Sequence, residues 1–233
     1  MSLALEVGIL SDLKINDSEG YAIYKAEFEK LNRLLLAENL NPHKEPEDIR
    51  EEDIFSCEML GYVGLHHLRR YAAYLAMQKP EPNPINYDDS DDSVIEEYSK
   101  LAISQNPEAL LELFSKSQTD ILPYQHLILH SDADGFYIPQ NFEEVIFSNE
   151  DIEVMGGMVG SVHQLYDECT QLADHLEIPM DLDHESNEVF EAAGSPPTEG
   201  EKWKRYGIET FHCLRLIRAC EASLEKNAAI VFC

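Results

Sequence analysis

Tyr124-Gln-His-Leu-Ile-Leu-His-Ser-Asp-Ala-Asp-Gly-Phe-Tyr-Ile-Pro139 places two apolar runs on either side of Asp134-Gly135, a dipeptide that supplies the positive φ of a tight turn. Its reading decides the fold class. Two such runs across such a turn predict a β-hairpin over 124–139, and a hairpin needs a sheet to join. The apolar ends of the chain, Leu3 to Leu10 and Ala228 to Phe232, are the further candidate strands.

Most of the remaining sequence has helical character. Asp17-Ser18-Glu19 gives a capping signal before a helix of about Tyr21 to Leu36. A second helix is expected over about Cys57 to Gln78, with Leu60, Val63, His67, Leu68, Tyr71, Tyr74 and Leu75 on one stripe and His66, Arg69 and Arg70 opposite. Shorter helices are expected over Ser93 to Ser104 and Pro107 to Lys116. Met158, Val162, Leu165, Cys169, Leu172 and Leu176 recur on one face of a third long helix that Pro179 ends, and a last helix runs from about Glu201 to Glu225. These elements predict an α+β fold, with four or more helices on a small, mostly antiparallel sheet that includes the 124–139 hairpin. One domain over 1–233 is expected, with a flexible acidic Pro-rich loop at 79–92 and a polar loop at 181–200.

The 233 residues hold 45 Asp and Glu against 17 Lys and Arg, a formal charge of −28. The charge is unevenly distributed. Residues 1–116 carry 11 basic and 23 acidic groups (−12), residues 117–201 none basic and 19 acidic (−19), and residues 202–233 six basic and three acidic (+3). An 85-residue stretch without Lys or Arg must leave its carboxylates in water, meet bases elsewhere, or bind something cationic. Phosphate backbones and anionic lipid are repelled by such a chain, so the expected partner is a cationic protein, with no nucleic acid and no membrane. Lys204, Arg215 and Lys226, eleven residues apart in succession, would form a basic stripe on the last helix that meets the acidic stretch.

Few residues are arranged for chemistry. His130-Ser-Asp132-Ala-Asp134-Gly135 sets two carboxylates beside a histidine, as a metal site could use, and partly matches an EF-hand loop. Position 1 of that loop would be His130 and position 12 Asn141, and the expected flanks are strands, so turn chemistry accounts for Asp134-Gly135 without a metal. Asp181-Leu-Asp183-His184-Glu185 could add ligands if folded back, but reads as a charged loop. Gly156, Gly157 and Gly160 lack the Lys of a phosphate loop and follow Glu150, Asp151 and Glu153, and Ser161 is not in a G-x-S-x-G elbow. No cofactor is expected. Five scattered cysteines without a CxxC pair suit free thiols in the cytoplasm, and no run of about 18 apolar residues or leader-like start is present.

The function expected is therefore that of a non-enzymatic binding protein, such as an inhibitor or immunity-type protein for a cationic partner. His130, Asp132, Asp134, Tyr137, Asp181 and Asp183 are its candidate binding residues. The alternative is a metal-binding module or metal-dependent hydrolase built on His130, Asp132 and Asp134.

Overall fold

The computed structural model describes residues 3–84, 92–104, 122–131 and 134–232. Among them are six strands and nine helices, an α+β fold as the sequence predicts. The strands are β1 (Ala4–Val7), β2 (Phe55–Glu58), β3 (Phe136–Ile138), β4 (Ile146–Phe147), β5 (Met158–Ser161) and β6 (Ile230–Phe232). The helices are α1 (Ile9–Asn16), α2 (Ser18–Ala37), α3 (Gly61–Ala76), α4 (Asp92–Ser104), α5 (Gln125–Ile128), α6 (Val162–His175), α7 (Asn187–Gly194), α8 (Lys202–Arg205) and α9 (Gly207–Lys226). The chain divides into two compact units, residues 1–59, 130–167 and 216–233 in one and 60–129 and 168–215 in the other.

The first unit contains the whole sheet, in the order β2-β1-β6-β3-β5-β4. The terminal runs are strands and pair with each other, Leu5 opposite Phe232 and Val7 opposite Ile230. Only β3 and β5 run parallel; the other neighbouring pairs are antiparallel. The central strands β3 and β6 are buried at every residue, so they show no alternation in sequence. Asp17 caps α2 as expected, its side chain accepting from the backbone N–H groups of Glu19 and Gly20. Phe28, Leu31, Leu34 and Leu35 of α2 pack with Phe136, Ile138, Val159 and Val231 of the sheet.

Among the described residues of the second unit the regular elements are helices. Tyr71 of α3 meets Tyr206 edge-on at 5.0 Å, and the Tyr206 hydroxyl donates to the Pro82 carbonyl at 2.8 Å. Val189, Ala192 and Ala193 of α7 pack with Trp203, Phe211 and Leu214.

The 124–139 hairpin is not formed. Residues 125–128 are helix α5, entered through Tyr124 at φ +63°, and all four are buried. Gly135 has the positive φ expected of it, +115°, but the bend at 134–135 leads only into β3 and makes no hairpin turn. That strand takes partners remote in sequence, Val231 and Val159 both standing opposite Phe136. A short segment buried on all sides has no period that separates helix from strand, and residues 125–128 are such a segment, the polar Gln125 and His126 included.

Further boundaries moved for local reasons. Residues 55–58 are strand β2, leaving Leu60 and Val63 exposed and burying Arg69 and Arg70, which the helical stripe had placed outward. Arg69 Nε donates to the Leu127 carbonyl at 2.8 Å, a buried use of an arginine that periodicity does not reveal. The polar loop at 181–200 contains α7, started by the Ser186 side chain accepting from the Val189 N–H. The expected last helix is two, α8 and α9, parted at Tyr206. The helix expected at 107–116 lies outside the described residues, as does 85–91 of the Pro-rich loop.

Candidate functional site

The sequence-derived binding residues fall in different surroundings. His130 and Tyr137 are interior side chains of the first unit, their rings stacked at 3.9 Å with Phe232 alongside. The His130 nitrogens face carbonyl oxygens, Nδ1 that of Ser131 at 3.1 Å and Nε2 that of Phe136 at 3.2 Å. Tyr137 lies over Gly160, its register partner, where a Cβ would come within 2.3 Å of the ring; that close approach is why residue 160 has no side chain. Asp134 is exposed, and Asp132 lies outside the described residues.

Asp181 and Asp183 are exposed on the second unit. Asp183 accepts from the Glu185 N–H at 3.0 Å and stands 3.4 Å from His184, while the His184 carbonyl accepts from Arg215. Among the described residues no three His, Cys, Asp or Glu side chains converge where they could hold a metal.

The glycine-rich turn holds an anion supplied by the chain itself. The Met155 N–H donates to a Glu27 oxygen at 3.1 Å, and Lys30 pairs with the other oxygen at 2.5 Å. Glu27, Lys30, Asp134, Asp151 and Glu153 line a cleft of about 500 Å³ there. Ser161 accepts from the Gln164 N–H at 3.3 Å and donates to the Gln140 carbonyl, so its hydroxyl caps α6.

The outstanding feature is the acidic surface. The first unit has 8 basic and 24 acidic residues (−16) and the second 9 and 21 (−12), so both are strongly negative. Of the 19 carboxylates in residues 117–201, Asp120 and Asp132 are not described; of the other 17, 16 are exposed. The exception is Glu168, which accepts the N–H groups of His126 and Leu127. Exposed carboxylates are the rule here because no local base draws them inward and burial without a partner is costly.

The basic end of the chain is largely used internally. Lys204 meets Glu201 at 2.9 Å and Glu188 at 3.8 Å, while Lys202 meets Glu81 at 2.5 Å. Arg215 is buried against the Phe211 ring, 3.5 Å from its centre. Lys204 thus joins the acidic stretch as expected, but the break at Tyr206 dissolves the single stripe.

On the first unit, Glu143 and Glu144 flank β4 on one side and Glu150, Asp151 and Glu153 on the other, all exposed. Beside β4, at one edge of the sheet, runs a groove of about 410 Å³. Leu40, Phe142, Val145, Ile146 and Phe147 form its apolar lining, with Glu38 and Glu144 as the charged members. No helix among the described residues is long and apolar enough to cross a membrane.

Residues 1–232 match a family model described as "Putative DNA-mimic protein". No curated protein and no solved structure matches. The family match corrects the expectation that nucleic acid has no place in an account of this chain's partners. Repulsion argues against DNA as a ligand, but it leaves open DNA as the thing imitated, and the acidity that repels phosphate is what imitation of phosphate requires. Matched over all but its final residue, the chain belongs to the family so described.

Proposed function

We propose that this protein is a non-enzymatic inhibitor that occupies the DNA-contacting face of a DNA-binding protein in place of the duplex. The reading rests on one observation: 16 of the 17 described carboxylates in a stretch without Lys or Arg stand in solvent. A protein surface that binds DNA presents Lys and Arg at phosphate positions, and exposed carboxylates fixed on folded elements offer those groups the same sign of charge. The field of a −28 chain also speeds encounter with such a surface. DNA-binding proteins of the cytoplasm are the partners in question, an inhibitory role of the immunity type. Cys57, Cys169, Cys213 and Cys220, present as thiols, fit that reducing compartment.

Imitation by carboxylates differs from DNA in one measurable respect. DNA carries a condensed layer of counterions that binding releases, and its affinity falls steeply with salt for that reason. A folded acidic protein spreads its charge more thinly, so its complex should lose affinity less steeply.

The test is displacement. DNA-binding proteins of the native cell that the immobilised chain retains at about 50 mM salt are each mixed with a fluorescent duplex, and the chain is titrated in. Release of the duplex at one equivalent, with a shallower salt dependence for the chain than for DNA, is the expected result. Simultaneous binding of chain and duplex, or retention of no DNA-binding protein at all, overturns the proposal.

A further inference from the structure

We infer that the groove beside β4 is a subsite for one arginine side chain of the partner, its stem lying on the aromatic lining and its guanidinium reaching Glu38 and Glu144. This deepens the proposed function, on which it rests for the kind of partner, by assigning the place where contact is more than long-range charge.

Three independent features converge there. The first is shape and apolarity, since Phe142 and Phe147 stand in one groove of about 410 Å³ with Leu40 and Ile146. Phe147 is 46 % exposed, an aromatic left in water at the edge of the sheet. The second is charge. Glu38 and Glu144 are both exposed members of the lining, and no Lys or Arg is among its described residues. The third is the backbone. Glu38 is the C-terminal cap of the 20-residue helix α2, so the negative end of that helix lies at the groove, and its last turn carries no basic residue.

An apolar lining with carboxylates and a negative helix end at its margin matches a side chain that is apolar along its stem and cationic at its tip. Arginine fits better than lysine: its planar guanidinium stacks on aromatic faces and donates to two carboxylates at once, whereas the ammonium is a more strongly hydrated point charge. Electrostatic attraction mainly accelerates encounter, and an aromatic pocket filled by an arginine is the kind of contact that slows release.

The probe is N-acetyl-arginine amide, titrated into the full chain and followed by backbone amide NMR. Shifts concentrated at residues 38–40 and 142–147 are expected, with lysine amide weaker and norleucine amide without effect. Phe147→Ala should weaken arginine binding about threefold or more, and Glu144→Gln comparably, with amide shifts away from the groove unchanged in both variants as the check that the fold is intact. Glu177→Gln, an exposed carboxylate of the other unit, should leave it unchanged. Shifts spread evenly over acidic residues of both units, equal affinity in F147A and E144Q, or norleucine binding as well as arginine overturns the inference. Duplex displacement by the wild-type chain is read separately, so the groove can fail while the DNA-mimic reading stands, and the reverse.

Discussion

His212 shows how one side chain couples charge to folding. Its Nδ1 donates to the Ile208 carbonyl at 2.7 Å and its Nε2 accepts from the Leu60 N–H at 3.2 Å, an arrangement only the neutral ring satisfies. Burial pushes its pKa down to about 4; the Ile208 carbonyl opposes that shift, while the Arg215 charge adds to it. The site is tight because Gly64 of α3 lies against the ring, where a Cβ would come within 2.1 Å. A depressed folded pKa gives stability that is complete above the unfolded value near 6.5 and lost as pH falls toward 4. Up to about 3 kcal/mol should disappear across that window. Urea unfolding at both ends of the range measures the loss, and the His212 Cε1–H resonance should stay flat above pH 5; a midpoint near 6.5 would refute the assignment. His212 could not be identified from sequence, since a histidine on a helix carries no sign of the N–H that will meet it from residue 60.

Among the elements, α5 depends most on tertiary structure. Four residues are too few to hold a helix alone. Its first N–H groups are taken by Glu168 at 3.0 and 2.8 Å, and the Leu127 carbonyl accepts from Arg69. Glu168→Ala would orphan two buried donors and should cost about 2–4 kcal/mol by chemical denaturation, with Glu168→Gln costing less because its one amide oxygen still accepts from one of the two. An alanine variant as stable as the parent would show that water replaces the carboxylate. Elements with local signals were legible. Asp17 announced α2, and Val162, Leu165, Cys169 and Leu172 marked α6 and are buried, as is Leu176 just beyond it, whereas Met158, expected on the same stripe, lies in strand β5. Elements whose partners are distant were not: β3 is paired by β5 and by β6 at the end of the chain, α5 is capped from 41 and 42 residues away, and β5 sits in a Gly-rich stretch with no strand pattern. The basic side chains Arg69 and Arg70 were misplaced for the same reason, since periodicity finds the apolar side of α3 but not the second surface that covers its polar side.

At the scale of the whole molecule, the two compact units are each made of separated pieces of chain, three in one and two in the other. Neither can be cut out at a single boundary. We propose that the chain therefore folds as one cooperative domain, as the sequence suggested, and calorimetry should show a single unfolding transition; two resolved transitions would assign the units independent stability. The function-bearing property was legible in part. The segment 117–201, without Lys or Arg, declared itself from composition, and its described carboxylates are exposed apart from Glu168. Of the individual residues singled out, His130 and Tyr137 are packed inside, their rings stacked on each other.

By itself the sequence determined the sign and the location of the charge, the α+β class, the α2 cap, the α6 stripe and the two terminal strands, since each follows from composition, capping chemistry or a short-range period. Only the tertiary structure decided which carboxylate is buried, that residues 125–128 are helical, and that Phe147 stands exposed in a groove with Glu38 and Glu144. Those outcomes depend on contacts between residues far apart along the chain. Burial and pairing energies at such contacts outweigh local preference, and no window of sequence contains both partners.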